Sequence, residues 1–172
     1  MIKKDLAIAP AGEALLILIA AGCGYFAHQP LIFASLGPTA YELIETPHRR
    51  SARPYSILVG HLTGIACAWL ALFLTHARSA PPVSAAGVPL LRVGSVVLAA
   101  GLTVLGNLLL RSAQPAALST TLLISSGIMQ TGRDTVVILA AIILILLAGE
   151  PLRRLRLRHQ ATTQVEAQSQ QA

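Results

Sequence analysis

Charged and aromatic residues are scarce in this chain. Of its 172 residues, 12% are charged and 4% are aromatic, whereas an ordinary soluble domain carries roughly 25% charged residues. So few charges cannot cover a surface that faces water, which argues against a soluble enzyme and against disordered, collagen-like or coiled-coil chains. Hydrophobic residues make up 54% of the chain and the mean hydropathy is +0.67. The composition predicts one all-α domain embedded in the lipid bilayer.

Cysteines and catalytic motifs are also few. Cys23 and Cys67 both lie in apolar stretches without the spacing of a zinc site or a disulfide framework, so we interpret them as small buried hydrophobes. The sequence contains no nucleophile elbow, phosphate loop or metal-ligand cluster. We therefore predict no catalytic residue, no metal, no cofactor and no enzymatic activity.

Basic residues exceed acidic ones, 13 against 7, for a formal net charge of +6. They lie in short gaps between apolar runs and in the C-terminal stretch Arg153–Arg158. Cytoplasmic loops that face anionic lipid have this distribution. A basic stripe interleaved with aromatic residues, as nucleic-acid binding requires, is absent from the sequence. The expected partner of these charges is the bilayer surface and not nucleic acid.

Six apolar segments follow one another along the chain, at about residues 14–27, 30–44, 55–75, 90–110, 115–131 and 135–149. The first is predicted to be an uncleaved membrane helix, and Pro30 separates it from the second. Arg92, near one end of the fourth, is expected to snorkel to the membrane surface. Residues 1–159 are predicted to form the transmembrane domain, and residues 160–172, rich in Gln, Ala and Thr, a disordered cytoplasmic tail.

The second and fifth segments are weaker than the others. Segment 30–44 has 15 residues, about 22 Å at helical rise against a bilayer core of about 30 Å. Segment 115–131 is rich in small and hydroxyl residues. Each weak segment begins at a Gln-Pro pair, Gln29-Pro30 or Gln114-Pro115, and each half of the chain has the same order of strong and weak segments. This order suggests two related halves, which are common in membrane transporters.

The number of crossings stays open between four and six. If the weak segments cross fully, the N-terminal side holds 10 Lys and Arg residues and the other side 3; if they are re-entrant, the division is 8 against 5. The positive-inside rule favours six crossings, whereas the short length of segment 30–44 favours four. Halves with three crossings would be inverted repeats, and halves with two would be parallel repeats. Both arrangements place the C-terminus in the cytoplasm.

Three motifs around the first weak segment stand in a characteristic order: Leu36-Gly37-Pro38-Thr39-Ala40, Ala52-Arg53-Pro54 and Gly60-His61-Leu62. Together they resemble the HPP family of small bacterial and plastid membrane proteins, in which Gly-Ala-Ser-Ala, Gln-Pro-Arg-Asn and Gly-Gly-His elements have similar spacing. The stretch Arg111–Ala117 is similar to the family's naming stretch, although the name-giving His-Pro-Pro is here Gln114-Pro115-Ala116. The resemblance covers about residues 12–150 and identifies a divergent relative.

The resemblance implies a polytopic, multi-pass helical protein of a bacterial inner membrane, usually described as four-spanning. It also implies transport of a small anion, with nitrite as the specific expectation. A non-transporting membrane scaffold or accessory subunit is the alternative. Because the chain has a mass of only 18.0 kDa, we expect a homodimer or homotrimer to enclose a path.

The residues themselves give a physical basis for an anion site. The N-terminus of a short broken helix offers unpaired N–H groups that attract anions, and such backbone is tolerated at membrane depth only where it is buried in protein or lines water. An ionisable residue within an apolar span is a functional candidate by default. The predicted substrate-binding residues are Gly37, Thr39, His61, Gln114, Ser119 and Thr120. The alternative for the small residues is close helix packing, and the alternative for His61 is a neutral ring that hydrogen-bonds a neighbouring helix. Glu42 is interpreted as facing headgroup water beside Arg49 and Arg50.

Overall fold

Seven α-helices make up the described chain. The computed structural model describes the backbone of residues 2–169 and the side chains of residues 7–85 and 87–161. The helices are α1 (Ile2–Ala27), α2 (Leu36–Ile44), α3 (Pro54–Leu74), α4 (Val83–Ala86), α5 (Leu90–Leu109), α6 (Ala116–Ser125) and α7 (Gly132–Ser169), with a 3-10 turn at Ala77–Ser79. Residues 2–169 contain no strand, which confirms the predicted all-α fold.

Four of the helices are long and apolar enough to cross a bilayer. They are the stretches Ala7–Ala27, Pro54–Leu74, Leu90–Leu109 and Gly132–Ala161. The helices α2 and α6 have only 9 and 10 residues, about 14 and 15 Å of helix. The prediction of a polytopic helical protein with a short broken segment in each half is confirmed.

The chain between α1 and α2 has no regular structure over residues 28–35. Pro30 cannot supply the N–H that a continuing helix needs, and the chain turns at His28, whose φ is +50°. Gly24 permits this turn, because a Cβ there would lie 2.9 Å from the Gln29 carbonyl oxygen. Of the predicted segment 30–44, only the second half is therefore helical.

The end of α2 lies near the start of α1 and the C-terminal half of α7. A Cβ on Gly12 of α1 would contact Ile44, and the Ile44 carbonyl accepts a hydrogen bond from Arg156 Nε at 3.2 Å. The Pro47 carbonyl likewise accepts from Arg153 at 3.0 Å. Residues 28–35 directly follow the last residue of α1, which lies at the other end of that helix. Residues 28–44 therefore run from one end of the bundle to the other.

The short helix α6 also runs between the two ends of the bundle. Gln114, just before α6, lies against Gly60 in the first half of α3. Ser125, its last residue, accepts a hydrogen bond through its carbonyl from Arg92 at the start of α5. We call the end that holds residues 45–53, Arg111 and Arg153 the basic end, and the end that holds residues 75–89 and 126–131 the opposite end. Within the described bundle, residues 28–44 and 111–126 thus each run from one end to the other beside the four long helices, and they do not turn back as re-entrant loops.

The two halves of the bundle run in opposite directions. The first half (α1, residues 28–44 and α3) begins at the basic end, and the second half (α5, residues 111–126 and α7) begins at the opposite end. This is the arrangement of inverted repeats. Ser35 and Thr120 are 85 positions apart, the same offset as between the two Gln-Pro pairs, and their hydroxyl groups are hydrogen-bonded at 2.9 Å. Matching positions of the two halves therefore meet in the middle of the bundle.

Three sequence expectations differ from the structure. The predicted tail is helical over residues 160–169, because an existing helix is extended at little cost by Ala, Gln and Glu; residues 170–172 lie outside the described residues. Cys23 is exposed on α1 and Cys67 is partly buried, so neither is the buried hydrophobe expected. Arg92 does not snorkel: its side chain is completely buried, because backbone carbonyls at the opposite end accept its hydrogen bonds.

Cysteine labelling tests whether residues 28–44 cross the membrane. In a background with Cys23 and Cys67 replaced by alanine, we expect Ala27→Cys and His48→Cys, which flank residues 28–44, to react with a membrane-impermeant maleimide from opposite faces. Both positions are exposed and lie at opposite ends of the bundle. Labelling of both from the same face would contradict the full crossing of residues 28–44.

Candidate functional site

Two glycines of α3 allow α6 to lie directly against it. A Cβ on Gly60 would lie 2.5 Å from Gln114 Cβ, and a Cβ on Gly64 would lie 2.8 Å from the Ala117 carbonyl oxygen and 2.7 Å from Thr121 Oγ1. Small residues permit such close approach of membrane helices. The hydroxyl-bearing face of α6 is consequently held close to His61, which lies between the two glycines.

His61 joins the two short helices. Its side chain is completely buried. Its Nε2 lies 3.2 Å from Thr39 Oγ1 of α2, and its Nδ1 lies 2.9 Å from Thr120 Oγ1 of α6. One ring of α3 thus contacts both broken segments at once.

Ser35 completes a hydrogen-bonded group that we call the central cluster: Ser35, Thr39, His61 and Thr120. Thr120 donates to the Ser35 hydroxyl at 2.9 Å, and the Thr39 hydroxyl donates to the Ser35 carbonyl at 2.8 Å. Ser35 is the N-cap residue of α2, but its hydroxyl does not cap that helix. The start of α2 therefore lies at the central cluster, and all four side chains are buried.

The central cluster can satisfy the imidazole of His61 in two protonation states. With Thr39 and Thr120 both donating to Ser35, each ring nitrogen faces an oxygen that can accept, as a protonated ring requires. A neutral ring needs one donor, which Thr120 supplies if its hydroxyl proton turns toward Nδ1. The Ser35 hydroxyl can then donate to Thr120, because hydroxyl hydrogens rotate freely. Two hydroxyl rotations are enough to satisfy the hydrogen bonds of the ring in either protonation state.

A neighbouring hydroxyl pair extends the polar face of α6 toward α5. Thr121 Oγ1 lies 2.9 Å from Thr103 Oγ1 and also donates to the Ala117 carbonyl at 2.9 Å. Both threonines are completely buried. The α6 segment therefore carries buried hydroxyl groups toward both α2 and α5.

Comparison with known proteins identifies the family. The family model described as the HPP transmembrane region matches residues 3–160. The chain belongs to the HPP family. No curated protein and no solved structure matches this HPP chain, so the arguments about its site rest on its own geometry.

The structure of this HPP protein brings three of the six predicted site residues together. Thr39, His61 and Thr120 belong to the central cluster. Gly37 lies in the first turn of α2, partly exposed, with open space where a Cβ would point. Ser119 precedes Thr120 and is only partly buried, so it lies on a different side of α6.

Gln114 lies apart from the central cluster, at the basic end. The hydrogen-bond acceptors around the Gln114 side-chain amide fix its orientation. In that orientation its nitrogen donates to Glu42 Oε2 at 2.6 Å and to the Ser51 carbonyl at 3.3 Å. Gln114 and Glu42 help to line an open cavity of about 530 Å³, together with Arg49, Arg50 and other residues of this end. Glu42 is therefore partly buried against Gln114, not simply exposed to headgroup water, and Thr39 lies one helical turn before it.

Sequence reasoning missed Ser35 and the burial of Arg92. The offset of 85 positions that relates the Gln-Pro pairs also relates Ser35 to Thr120, so extending the repeat to single hydroxyl positions could have found Ser35. No comparable signal marks Arg92, because three of its four partners are backbone carbonyls, which any sequence supplies.

Proposed function

We propose that this HPP protein passes a small inorganic anion across the membrane, with nitrite as the specific substrate. The central cluster supports the proposal, because four buried polar side chains meet where two broken helices and α3 converge. Interrupted backbone at membrane depth is favourable only where it is buried in protein or lines a polar path. In the proposed path the hydroxyls of Ser35, Thr39 and Thr120 donate to the anion.

His61 acts in this mechanism as a proton-linked partner of the anion. Protonation of the ring supplies a positive charge beside the three hydroxyls, and release of the proton removes it again. The reversible hydroxyl directions of the central cluster support this role. The substrate is bound most strongly while the ring is protonated, because a hydrogen bond to a charged group is stronger than one between neutral groups.

The same proposal places the basic end in the cytoplasm of a bacterial cell, with the protein in the inner membrane. Among the described side chains, eight arginines lie toward the basic end and three toward the opposite end, as the positive-inside rule requires. The eight are Arg49, Arg50, Arg53, Arg111, Arg153, Arg154, Arg156 and Arg158, and the three are Arg78, Arg92 and Arg133. The cavity beside Gln114 would then open toward the cytoplasm, and α7 would end there.

A homo-oligomer completes the proposed path. The apolar windows of α1 and α5 are only 17% and 22% buried within one chain, which leaves most of their surface for lipid or for a second copy. Crosslinking in native membranes should therefore capture dimers or trimers. Recovery of monomer alone would contradict this part of the proposal.

A non-transporting scaffold or accessory subunit is the second candidate function. The observation that favours it is that the hydroxyl and imidazole groups of the central cluster satisfy one another within the chain. In that case the cluster fixes the positions of α2, α3 and α6 and no anion passes.

Flux through proteoliposomes decides between the two functions. We expect purified protein to move nitrite at a rate that saturates with concentration and increases when a pH gradient drives protons in the same direction. Nitrate and formate serve as competing anions, and empty liposomes give the background. Absence of flux for all three anions at every pH gradient would overturn transport and favour the scaffold.

A further inference from the structure

Arg92 is a buried cation whose hydrogen-bond partners are all neutral. Its Nε donates to the Pro81 carbonyl at 3.2 Å and its Nη1 to the Ser125 carbonyl at 3.3 Å. Its Nη2 donates to the Ala80 carbonyl and, at 2.7 Å, to Gln130 Oε1. Among the described side chains, no carboxylate forms an ion pair with it, and the Asp134 carboxylate at this end accepts from the Thr131 N–H.

Among the described residues, neutral carbonyl and amide oxygens therefore hold the positive charge of Arg92, and no counter-ion neutralises it. Its side chain is completely buried, and a buried charge is costly unless a counter-charge or hydrogen bonds to groups such as backbone carbonyls offset the cost. Guanidinium carries five N–H groups, and the contacts above use four of them. One N–H on Nη1 has no acceptor among the described residues.

Two buried hydroxyls nearby also have no partner. Ser95 Oγ and Ser125 Oγ are the buried side-chain polar atoms without a hydrogen bond in the part of the chain described, and both residues are completely buried. Ser95 lies one turn after Arg92 on the buried face of α5. Ser125 lies on α6, and its carbonyl is held by Arg92 Nη1.

The packing of α5 against α6 places these groups on facing surfaces. Thr103 of α5 contacts Thr121 of α6 on one side, and Arg92 reaches Ser125 on the other. Ser95 lies between Arg92 and Thr103 on the buried face of α5. A buried polar group normally has a partner, because leaving a hydroxyl unpaired forfeits its hydration. The free N–H of Arg92 and the two unpaired hydroxyls all lack an acceptor, and an anion would supply one to each of them and also neutralise the guanidinium.

We propose that Arg92, Ser95 and Ser125 form a second binding site for a small monovalent inorganic anion, near the opposite end of the bundle. The anion accepts from the free N–H of Nη1 and from both serine hydroxyls, and it neutralises the guanidinium. This inference relies on the proposed function only for the identity of the ligand. The buried residues Thr120, Thr121 and Ser125 follow one another along α6, so the second site lies further along the same helix from the central cluster.

Binding measured without transport tests the second site. Sodium nitrite, nitrate and chloride are titrated by calorimetry into protein in nanodiscs, with sodium gluconate as the ionic-strength control. Substituting Arg92 would break four contacts that hold the opposite end together, so the serines are substituted instead. We expect saturable binding that weakens about tenfold or more in Ser95→Ala/Ser125→Ala, because a hydrogen bond to a charged group is lost at each position.

Ser126→Ala is the matched control, because the Ser126 hydroxyl already donates to the Leu123 carbonyl at 3.3 Å. This variant should bind the anion as the parent protein does. Thr120→Val, which alters the central cluster, should lose only the binding that belongs to that cluster and keep the component that the double variant loses. Absence of saturable binding in the parent protein, or equal binding in the double variant, overturns the second site. If Thr120→Val loses all anion binding and the double variant loses none, the second site is overturned and the proposed function is left standing. Binding as expected without any flux overturns transport and leaves the second site standing.

Discussion

Replacing His61 with alanine should lower the initial rate of nitrite flux by about 10- to 100-fold, the factor expected when a hydrogen bond to a charged group worth about 1.5–3 kcal/mol is lost. The ring is the ionisable member of the central cluster and contacts both short helices. The fold should survive the change, because Thr39 and Thr120 keep their hydrogen bonds to Ser35. Flux is measured in proteoliposomes at matched protein density, and insertion by size-exclusion chromatography in detergent.

Two further variants separate transport from packing. The glutamine side chain in His61→Gln can hydrogen-bond both threonines but cannot take up a proton. Compared with His61→Ala, this variant should therefore regain any lost stability without regaining proton-linked flux. His48→Ala is the matched control, because His48 is an exposed loop residue and its loss should change neither property. His28 and His76 are unsuitable controls, since both adopt a positive φ. If His61→Ala lost assembly while retaining flux per folded molecule, His61 would be a packing residue.

Replacing Gly64 with alanine should destabilise the bundle by about 1–3 kcal/mol, the usual cost of overpacking. The added Cβ would lie 2.8 Å from the Ala117 carbonyl oxygen, a backbone atom that can move only if α6 moves. The displacement would carry Thr120 away from His61, so flux should fall together with the apparent melting temperature. Thermal unfolding in detergent, followed by light scattering, measures the change.

Gly101→Ala is the matched control for this effect. Gly101 lies within α5 with nothing within 4 Å of the place where a Cβ would point, and alanine is more favourable than glycine in a helix interior by roughly 0.5–1 kcal/mol. We therefore expect Gly101→Ala to raise the melting temperature or leave it unchanged. Equal behaviour of Gly64→Ala and Gly101→Ala would show that α6 does not depend on close contact with α3.

The sequence allowed His61 to be singled out, because an ionisable residue in an apolar span is rare enough to attract attention. Thr39 and Thr120 were found because they lie in the two weak segments. Which of the neighbouring hydroxyls faces His61 depends on the rotation of α6, and this rotation is set by the contacts of Gly60 and Gly64. Sequence reasoning therefore included Ser119, which lies on another side of the helix, and left out Ser35.

Composition and hydropathy alone determined that this is a helical membrane protein with four strong segments and two weak ones, because the bilayer admits few other ways to satisfy a backbone. The motifs determined the family. Tertiary structure decided that the weak segments cross the bundle, since only long-range contacts such as that of Arg156 with Ile44 show where a short helix ends. It also decided the burial of Arg92, because the backbone carbonyls that hold its side chain leave no pattern in the sequence.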